Sequence, residues 1–261
     1  MNSSKSTQRF GLCGHPIAHS LSPKLFGAAY PQSGFSYELI QATRPEEAMR
    51  LFVEGGFGGM NVTAPFKSSI LPWANRHTQE CTAIGACNLI VREGNTFVAH
   101  NTDYLGVANA LGQTALPLKE TLCLLLGAGG AAKAAAYALL KGGATLLWAN
   151  RTLAHIPASF CDQPTCALSL AQIDSYLPQC TLIVNTLPLS IPQTRSLTFS
   201  PNQTVFDASY FARPFQKQAT EAGAPYIAGE QWLLHQAAPA FEAMTRLRPN
   251  WDAMLSSLMS L

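Results

Sequence analysis

A chain of 261 residues has room for one large or two ordinary domains and can bury a core without disulfide staples. Its net charge of +2, with 12% charged residues and no basic block, argues against nucleic acid as a main partner. No apolar run reaches membrane-spanning length, and the polar start over residues 1–8 has no signal-peptide core, so a soluble, cytoplasmic protein without membrane attachment is expected.

Residues 10–14 read as a short strand, and residues 23–30 as a helix opened by a Ser22 cap with Pro23 at its first position. A strand over 36–40, a helix over 45–53 ending near Gly55-Gly56, a strand over 59–62 and the start of a helix over 67–73 follow. Residues 88–92 and 96–99 suggest a hairpin around Glu93-Gly94-Asn95. A helix over 102–111 leads into strands at 122–126, 144–149, 182–185 and 205–207, with helical segments between. From His235 onward the pattern is helical, with Ala237, Ala240, Phe241 and Met244 on one side. This alternation predicts parallel α/β layers in both halves.

The apolar run at 122–126 breaks into Gly127-Ala128-Gly129-Gly130-Ala131 and then a run of alanines. Gly127 permits a tight turn out of a buried strand, Gly129 leaves room for a pyrophosphate, and the following helix N-terminus offers unpaired N–H groups. Gly130 is an extra glycine, and Ala132 fills the third site of the dinucleotide pattern. A plain strand–turn–helix with no ligand would also account for this segment. The next strand ends in Asn150-Arg151-Thr152, where an NAD site would carry an acid. A guanidinium there can fork onto a 2′-phosphate, with Thr152 adding a hydroxyl, so NADP is favoured over NAD. Taken alone, Arg151 reads better as a solvated residue after a strand; joined to the glycine turn, it favours NADP.

The chemistry is expected in the first half, where polar residues stand at strand ends. Ser20 and Ser22 offer two hydroxyls beside a helix start and could bind a carboxylate, or Ser22 could be only a cap. Thr63 and Lys67 follow a Gly-rich strand, Asn88 follows Gly85-Ala86-Cys87, and Asn101-Thr102-Asp103 precedes a helix. Each alone could be structural, but the prolines and glycines beside them fix turns that aim polar groups. The seven cysteines are scattered without a C-x-x-C pair and read as idle thiols in a reducing compartment. Pro16 and Pro23 oppose a helix that would aim His15 and His19 at one metal, so no metal site is expected.

Taken together, the chain resembles the shikimate dehydrogenase family. The resemblance is carried by the segment from Gly14 through His19-Ser20-Leu21-Ser22-Pro23, by Asn61-Val62-Thr63-Ala64-Pro65-Phe66-Lys67, by Gly85-Ala86-Cys87-Asn88 and by Asn101-Thr102-Asp103. The Gly127 turn, Asn150-Arg151-Thr152, Asp207-Ala208-Ser209-Tyr210 and Gln236-Ala237-Ala238 continue it in the family's order. It implies two α/β domains flanking an active-site cleft: a substrate-binding domain over 1–104, completed by helices within 236–261, and a Rossmann-type NADP-binding domain over 105–235. It implies reversible NADPH-dependent reduction of 3-dehydroshikimate to shikimate, in aromatic amino-acid biosynthesis, by a monomer or homodimer. Ser20 and Ser22 would hold the substrate carboxylate. Thr63, Asn88, Asp103 and Gln236 would bind ring hydroxyls and the reacting oxygen. Lys67 would be the acid/base with Asp103 beside it, and Tyr210 would reach the substrate. Gly127, Ala128, Gly129, Gly130, Ala131, Asn150, Arg151 and Thr152 would bind the cofactor, with Ala208 and Gly229 against the nicotinamide.

Several positions depart from the family's pattern. Phe26-Gly27 replace a common His-Asn, Leu89 a Thr, Tyr104 a Gly, Trp232 a Met, and Ser190 the Gly after Asn185-Thr186-Leu187-Pro188-Leu189. Tyr104 and Trp232 could reshape the pocket. A quinate or aminoshikimate dehydrogenase of the same fold therefore stays open, as does a catalytically poor nucleotide-binding regulatory relative. The intact Ser20, Ser22, Lys67, Asp103 and Gln236 set argues against the last.

Overall fold

The computed structural model describes residues 8–187 and 197–259. The polar start falls outside them except for Gln8, and so do Pro188, Leu189 and Ser190. The chain divides into two compact units, one of residues 1–102 with 236–261 and one of residues 103–235.

In the first unit the strands are β1 (Arg9–Gly14), β2 (Ser36–Gln41), β3 (Gly59–Val62), β4 (Arg76–His77), β5 (Leu89–Glu93) and β6 (Thr96–His100), in the order β2-β1-β3-β5-β6-β4. β1 pairs in parallel with β2 and β3, whereas β5 runs antiparallel to β3 and β6. The expectation of a parallel layer in this half is thus corrected to a mixed sheet. The cause is local: Glu93 pairs with Thr96, leaving the two-residue turn Gly94-Asn95, which can only reverse the chain. Cys13, Ile40, Phe52, Met60, Val62, Phe66 and Ile90 form the core on one face of the sheet.

The helices of this unit are α1 (Ser22–Ala29), α2 (Pro45–Glu54) and α3 (Gln79–Ile84). Ser22 does not cap α1: it is the first helical residue, and Ser20 Oγ accepts its N–H at 3.3 Å. The helix expected over 67–73 is instead a set of turns closed by a 3-10 stretch, Leu71–Trp73, because Pro72 has no N–H to continue a ladder. α3 escaped the pattern reading. Its signals were the Thr78 side chain, which accepts the Cys81 N–H, and Gly85, left-handed at φ 66°.

The second unit contains α4 (Asp103–Gly112), β7 (Leu122–Leu126), α5 (Gly130–Lys141), β8 (Thr145–Asn150) and a small hairpin of β9 (Ser159–Phe160) and β10 (Gln163–Pro164). It continues with β11 (Cys166–Ser169), α6 (Ile173–Tyr176), β12 (Leu182–Asn185), β13 (Thr204–Asp207), α7 (Gln216–Glu221) and β14 (Tyr226–Ile227). The parallel sheet has the order β11-β8-β7-β12-β13-β14. In this doubly wound order the winding reverses between β7 and β12, which opens a crevice for a ligand at their carboxyl ends. The alanines of α5 let it lie close on the sheet: Ala132, Ala134, Ala135, Ala136 and Ala138 are all buried. α8 (Gly229–Thr245) begins six residues before the expected start at His235, the boundary of the units falls within it, and α9 (Trp251–Met259) follows.

Candidate functional sites of the two units

In the first unit, the loops after β1 and β3 are tied at their roots. Thr63 N–H donates to the Cys13 carbonyl at 2.9 Å and His15 N–H to the Ala64 carbonyl at 3.0 Å. Ser22 is buried, and Ser20 and Thr63 are half-buried beside these loops. Ser20 Oγ donates to Ser22 Oγ at 3.3 Å, so two of the carboxylate-binding candidates are neighbours.

Asn88 organises the next part. Its Nδ2 donates to Thr102 Oγ1 at 2.8 Å and to Gln236 Oε1 at 2.9 Å, and its Oδ1 accepts the Thr102 N–H at 2.7 Å. Two candidates 148 positions apart, Asn88 and Gln236, are thereby brought together. Lys67 is half-buried, and its carbonyl accepts the Cys87 N–H at 2.7 Å, which anchors the turn carrying it to the segment that carries Asn88. Asp103 is buried at the start of α4, in the second unit.

Tyr37 and Asn61 were not among the expected site residues, yet both join this network. Tyr37 Oη donates to Asn61 Oδ1 at 2.7 Å, and Asn61 Nδ2 donates to the Asn88 carbonyl at 3.3 Å. Burial pushes the Tyr37 phenol well above its usual pKa, with a Ser22 hydrogen bond opposing that shift. In the sequence Asn61 reads as an ordinary strand residue; only its burial shows that the amide must find partners.

In the second unit the glycine turn leaves β7 at Gly127, whose φ of +106° is open to glycine. A Cβ there would meet Thr186 Oγ1 at 2.3 Å. The turn is held from both sides: Trp148 Nε1 donates to the Gly127 carbonyl at 2.5 Å, and Thr186 Oγ1 to the Leu126 carbonyl at 2.7 Å. Gly129 differs, because a Cβ on it would meet nothing within 4 Å. The fold does not require glycine there, whereas a pyrophosphate lying against the backbone before α5 would, so the turn fits a dinucleotide. Ala128, Gly130 and Ala131 are half-buried around it.

Arg151 and Thr152 are exposed beyond β8, while Asn150 is buried and donates from Nδ2 to the Thr152 carbonyl at 2.9 Å. Asn150 therefore shapes the turn that carries Arg151. Asp207, fully buried at the end of β13, accepts from Asn185 Nδ2, Phe215 N–H and Tyr226 Oη and so fixes the loop bearing Ala208 and Tyr210. Burial pushes its carboxyl above the usual range, against these hydrogen bonds. A Cβ on Gly229 would meet Ser209 and Ala208 backbone at 2.6 and 2.7 Å, so α8 starts in contact with that loop. The two unusual aromatic residues pack within this unit: Tyr104 edge-on to Tyr137 at 5.2 Å, and Trp232 beside Phe206 at 5.6 Å.

Among the described residues no three His, Cys, Asp or Glu side chains are grouped to hold a metal, and no helix is long and apolar enough to cross a membrane. The cysteines are free thiols, and burial pushes Cys13 up to about 12 and Cys180 up to about 11.

Residues 12–90 match the family model of the shikimate dehydrogenase substrate binding domain. The shikimate dehydrogenase (NADP(+)) of Halobacterium salinarum is 34% identical over 260 residues, covering 95% of this chain and 97% of that protein. A shikimate 5-dehydrogenase of Thermus thermophilus, solved in complex with NADP(H) and shikimate, superposes with a TM-score of 0.82 at 31% identity, over 97% of this chain and 99% of that one. A quinate dehydrogenase of Corynebacterium glutamicum, in complex with NAD, shares the fold at a TM-score of 0.83 and 24% identity, over 98% and 99% of the two chains.

Proposed function

The chain belongs to the shikimate dehydrogenase family, and from that premise we propose that it reduces 3-dehydroshikimate to shikimate reversibly, with Lys67 as acid/base and Asp103 as its partner. It is an NADP-dependent oxidoreductase of the shikimate pathway. In this reading residues 1–104 and 236–261 bind the substrate, and residues 105–235 bind the nucleotide. The observation that carries the substrate half is the Asn88 cluster, which joins Gln236 to the Asn61 segment by hydrogen bonds inside one unit. Amides and hydroxyls already held in fixed orientation suit a polyhydroxylated ring, because little side-chain freedom is lost when it binds.

NADPH supplies a hydride to the carbonyl carbon, which places negative charge on its oxygen. The Lys67 ammonium stabilises that charge and gives the oxygen its proton, and the Asp103 carboxylate orients the ammonium. Ser20 and Ser22 receive the carboxylate as neutral donors, Thr63, Asn88 and Gln236 the ring hydroxyls, and Tyr210 the substrate from the loop held by Asp207. The N–H groups opening α5 take the pyrophosphate, Ala208 and Gly229 lie against the nicotinamide, and Arg151 with Thr152 takes the 2′-phosphate. A cytoplasmic setting suits the free thiols. Steady-state rates with shikimate and with quinate, each with NADP and NAD, test the reading. The highest kcat/KM is expected for shikimate with NADP. Preference for quinate would reassign the substrate, and no turnover with any pair would make the protein a binder.

A further inference from the structure

We propose that Arg213 and Glu230 are positioning residues of the cofactor site: their ion pair clamps the loop of residues 208–214, and with it Ala208, onto the start of α8. The proposal rests on the cofactor reading above, in which Ala208 and Gly229 lie against the nicotinamide, and extends it to two charged residues outside that contact.

The loop is closed on itself before the pair acts. It leaves Asp207 at the end of β13, and Asp207 Oδ2 takes the Phe215 N–H at 3.0 Å, so one buried carboxylate holds both ends. Between those ends the Ala212 N–H donates to Ser209 Oγ at 3.4 Å, and the Gln216 N–H to the Arg213 carbonyl at 3.1 Å. These bonds give the loop its shape, but they stay within it and its ends. α8 meets the loop in two ways: Gly229 packs closely on the Ala208 and Ser209 backbone, and Glu230 Oε1 accepts from Arg213 Nη2. The packing limits how near the loop can come, and the ion pair draws it to that limit.

Two features set this pair apart from an ordinary surface salt bridge. The Glu230 side chain is only 14% exposed against 42% for Arg213, and its Oε2 is buried with no hydrogen-bond partner. An acid in the first turn of a helix gains from the helix dipole while it stays in water, so the dipole does not account for this burial. The second feature is the backbone of Arg213, whose φ of +39° is a left-handed conformation that residues with a side chain rarely adopt. Strain and desolvation thus coincide at one contact, beside the residues that would face the nicotinamide. The pair also acts on the bond that holds the loop's ends. Burial and Asp207 push the Tyr226 phenol up, Glu230 adds to that shift and Arg213 opposes it, and this phenol donates to Asp207 Oδ2. Asp207, Tyr226, Glu230 and Arg213 therefore form one electrostatic cluster around the root of the loop.

The test is Arg213→Ala, read against adenosine 2′,5′-bisphosphate, which carries the adenosine half of NADP without the nicotinamide. The kcat/KM for NADP at saturating shikimate is expected to fall about three- to ten-fold, while the affinity for the bisphosphate stays within twofold of wild type. Arg213→Lys must recover kcat/KM to within twofold, because the contact is one N–H to one oxygen and an ammonium can supply it. Glu230→Gln must show the same selective loss to a smaller degree, since it strands only the more exposed partner. The double variant Arg213→Ala/Glu230→Gln must do no more harm than Arg213→Ala alone. Thermal midpoints establish that each variant is folded, and Glu230→Gln carries the test if Arg213→Ala is not. Equal losses for NADP and the bisphosphate, kcat/KM within twofold of wild type in both single variants, no recovery in Arg213→Lys, or multiplicative effects in the double variant would overturn the clamp. A wild-type protein inert toward shikimate would instead overturn the dehydrogenase reading, and the proposal with it.

Discussion

Asn88→Ala is the most informative single perturbation of the first unit. The side chain is 2% exposed and makes three hydrogen bonds, two from Nδ2 and one to Oδ1. Its three partners do not suffer equally. The Thr102 hydroxyl oxygen and half-buried Gln236 Oε1 each lose one donor, at about 0.5–1.5 kcal/mol apiece. The Thr102 N–H is buried with Asn88 Oδ1 as its acceptor, and stranding it costs about 1–3 kcal/mol. Because the three partners share one network, these losses overlap, and we expect a destabilisation of about 2–4 kcal/mol, or roughly 5–15 °C in Tm for a chain of this size. Asn88→Asp separates the two ends of the side chain: it keeps the acceptor for the Thr102 N–H and replaces the donor that faces Gln236. It should lose less stability than Asn88→Ala while raising the KM for shikimate comparably. Thermal unfolding followed by circular dichroism, paired with steady-state kinetics, measures both. A Tm for Asn88→Ala within 2 °C of wild type, about 0.5–1 kcal/mol at this size, would refute the hydrogen-bond accounting.

Other outcomes follow from the same structure. Lys67→Ala should lower kcat by roughly 10² or more with little change in shikimate binding, and near-normal turnover would remove Lys67 from the chemistry. Arg151→Ala should raise the KM for NADPH much more than for NADH, and equal changes would exclude a 2′-phosphate contact. Gly127→Ala should lower the Tm, since φ is +106° and Thr186 stands in the way, whereas Gly129→Ala should leave the Tm unchanged and weaken NADP binding; isothermal titration of both variants distinguishes these roles, and full NADP affinity in Gly129→Ala would refute the pyrophosphate assignment. Burial holds His100 and His235 below the usual histidine pKa. Unfolding then takes up protons between the lowered values and about 6.5, so their contribution to stability is complete above about pH 6.5 and is lost as the pH falls through the lowered values. The Tm should decline from pH 7.5 to 5.5, with a shallower slope in the His100→Asn/His235→Asn variant; identical slopes would refute the link.

Periodicity and turn chemistry were enough to place β3, β7 and β12 to the residue, most plainly β7, an apolar run ended by Gly127. The Gly127 turn and the run Asn150-Arg151-Thr152 were legible because the nucleotide site proposed for them is local, one turn and one strand end. The mixed character of the first sheet was only half legible: the hairpin around Gly94-Asn95 could be read, but not that β5 would lie antiparallel beside β3 in the same sheet as the parallel strands β1 and β2. Nor was the bond from the Ser22 N–H to Ser20 Oγ legible, because Ser20 and Ser22 carry the same hydroxyl and only backbone geometry decides which N–H it meets. Tyr37, Asn61 and Trp148 lay beyond reach as well. Each is an ordinary strand residue locally and acquires its role only when the sheet brings in a partner 21 to 27 positions away. Local patterns thus specified most of the elements, the glycine turn and the set of candidate polar groups. Which of those groups share a proton, and what holds them at their spacing, depended on strand order and register, which are properties of contacts distant in the chain.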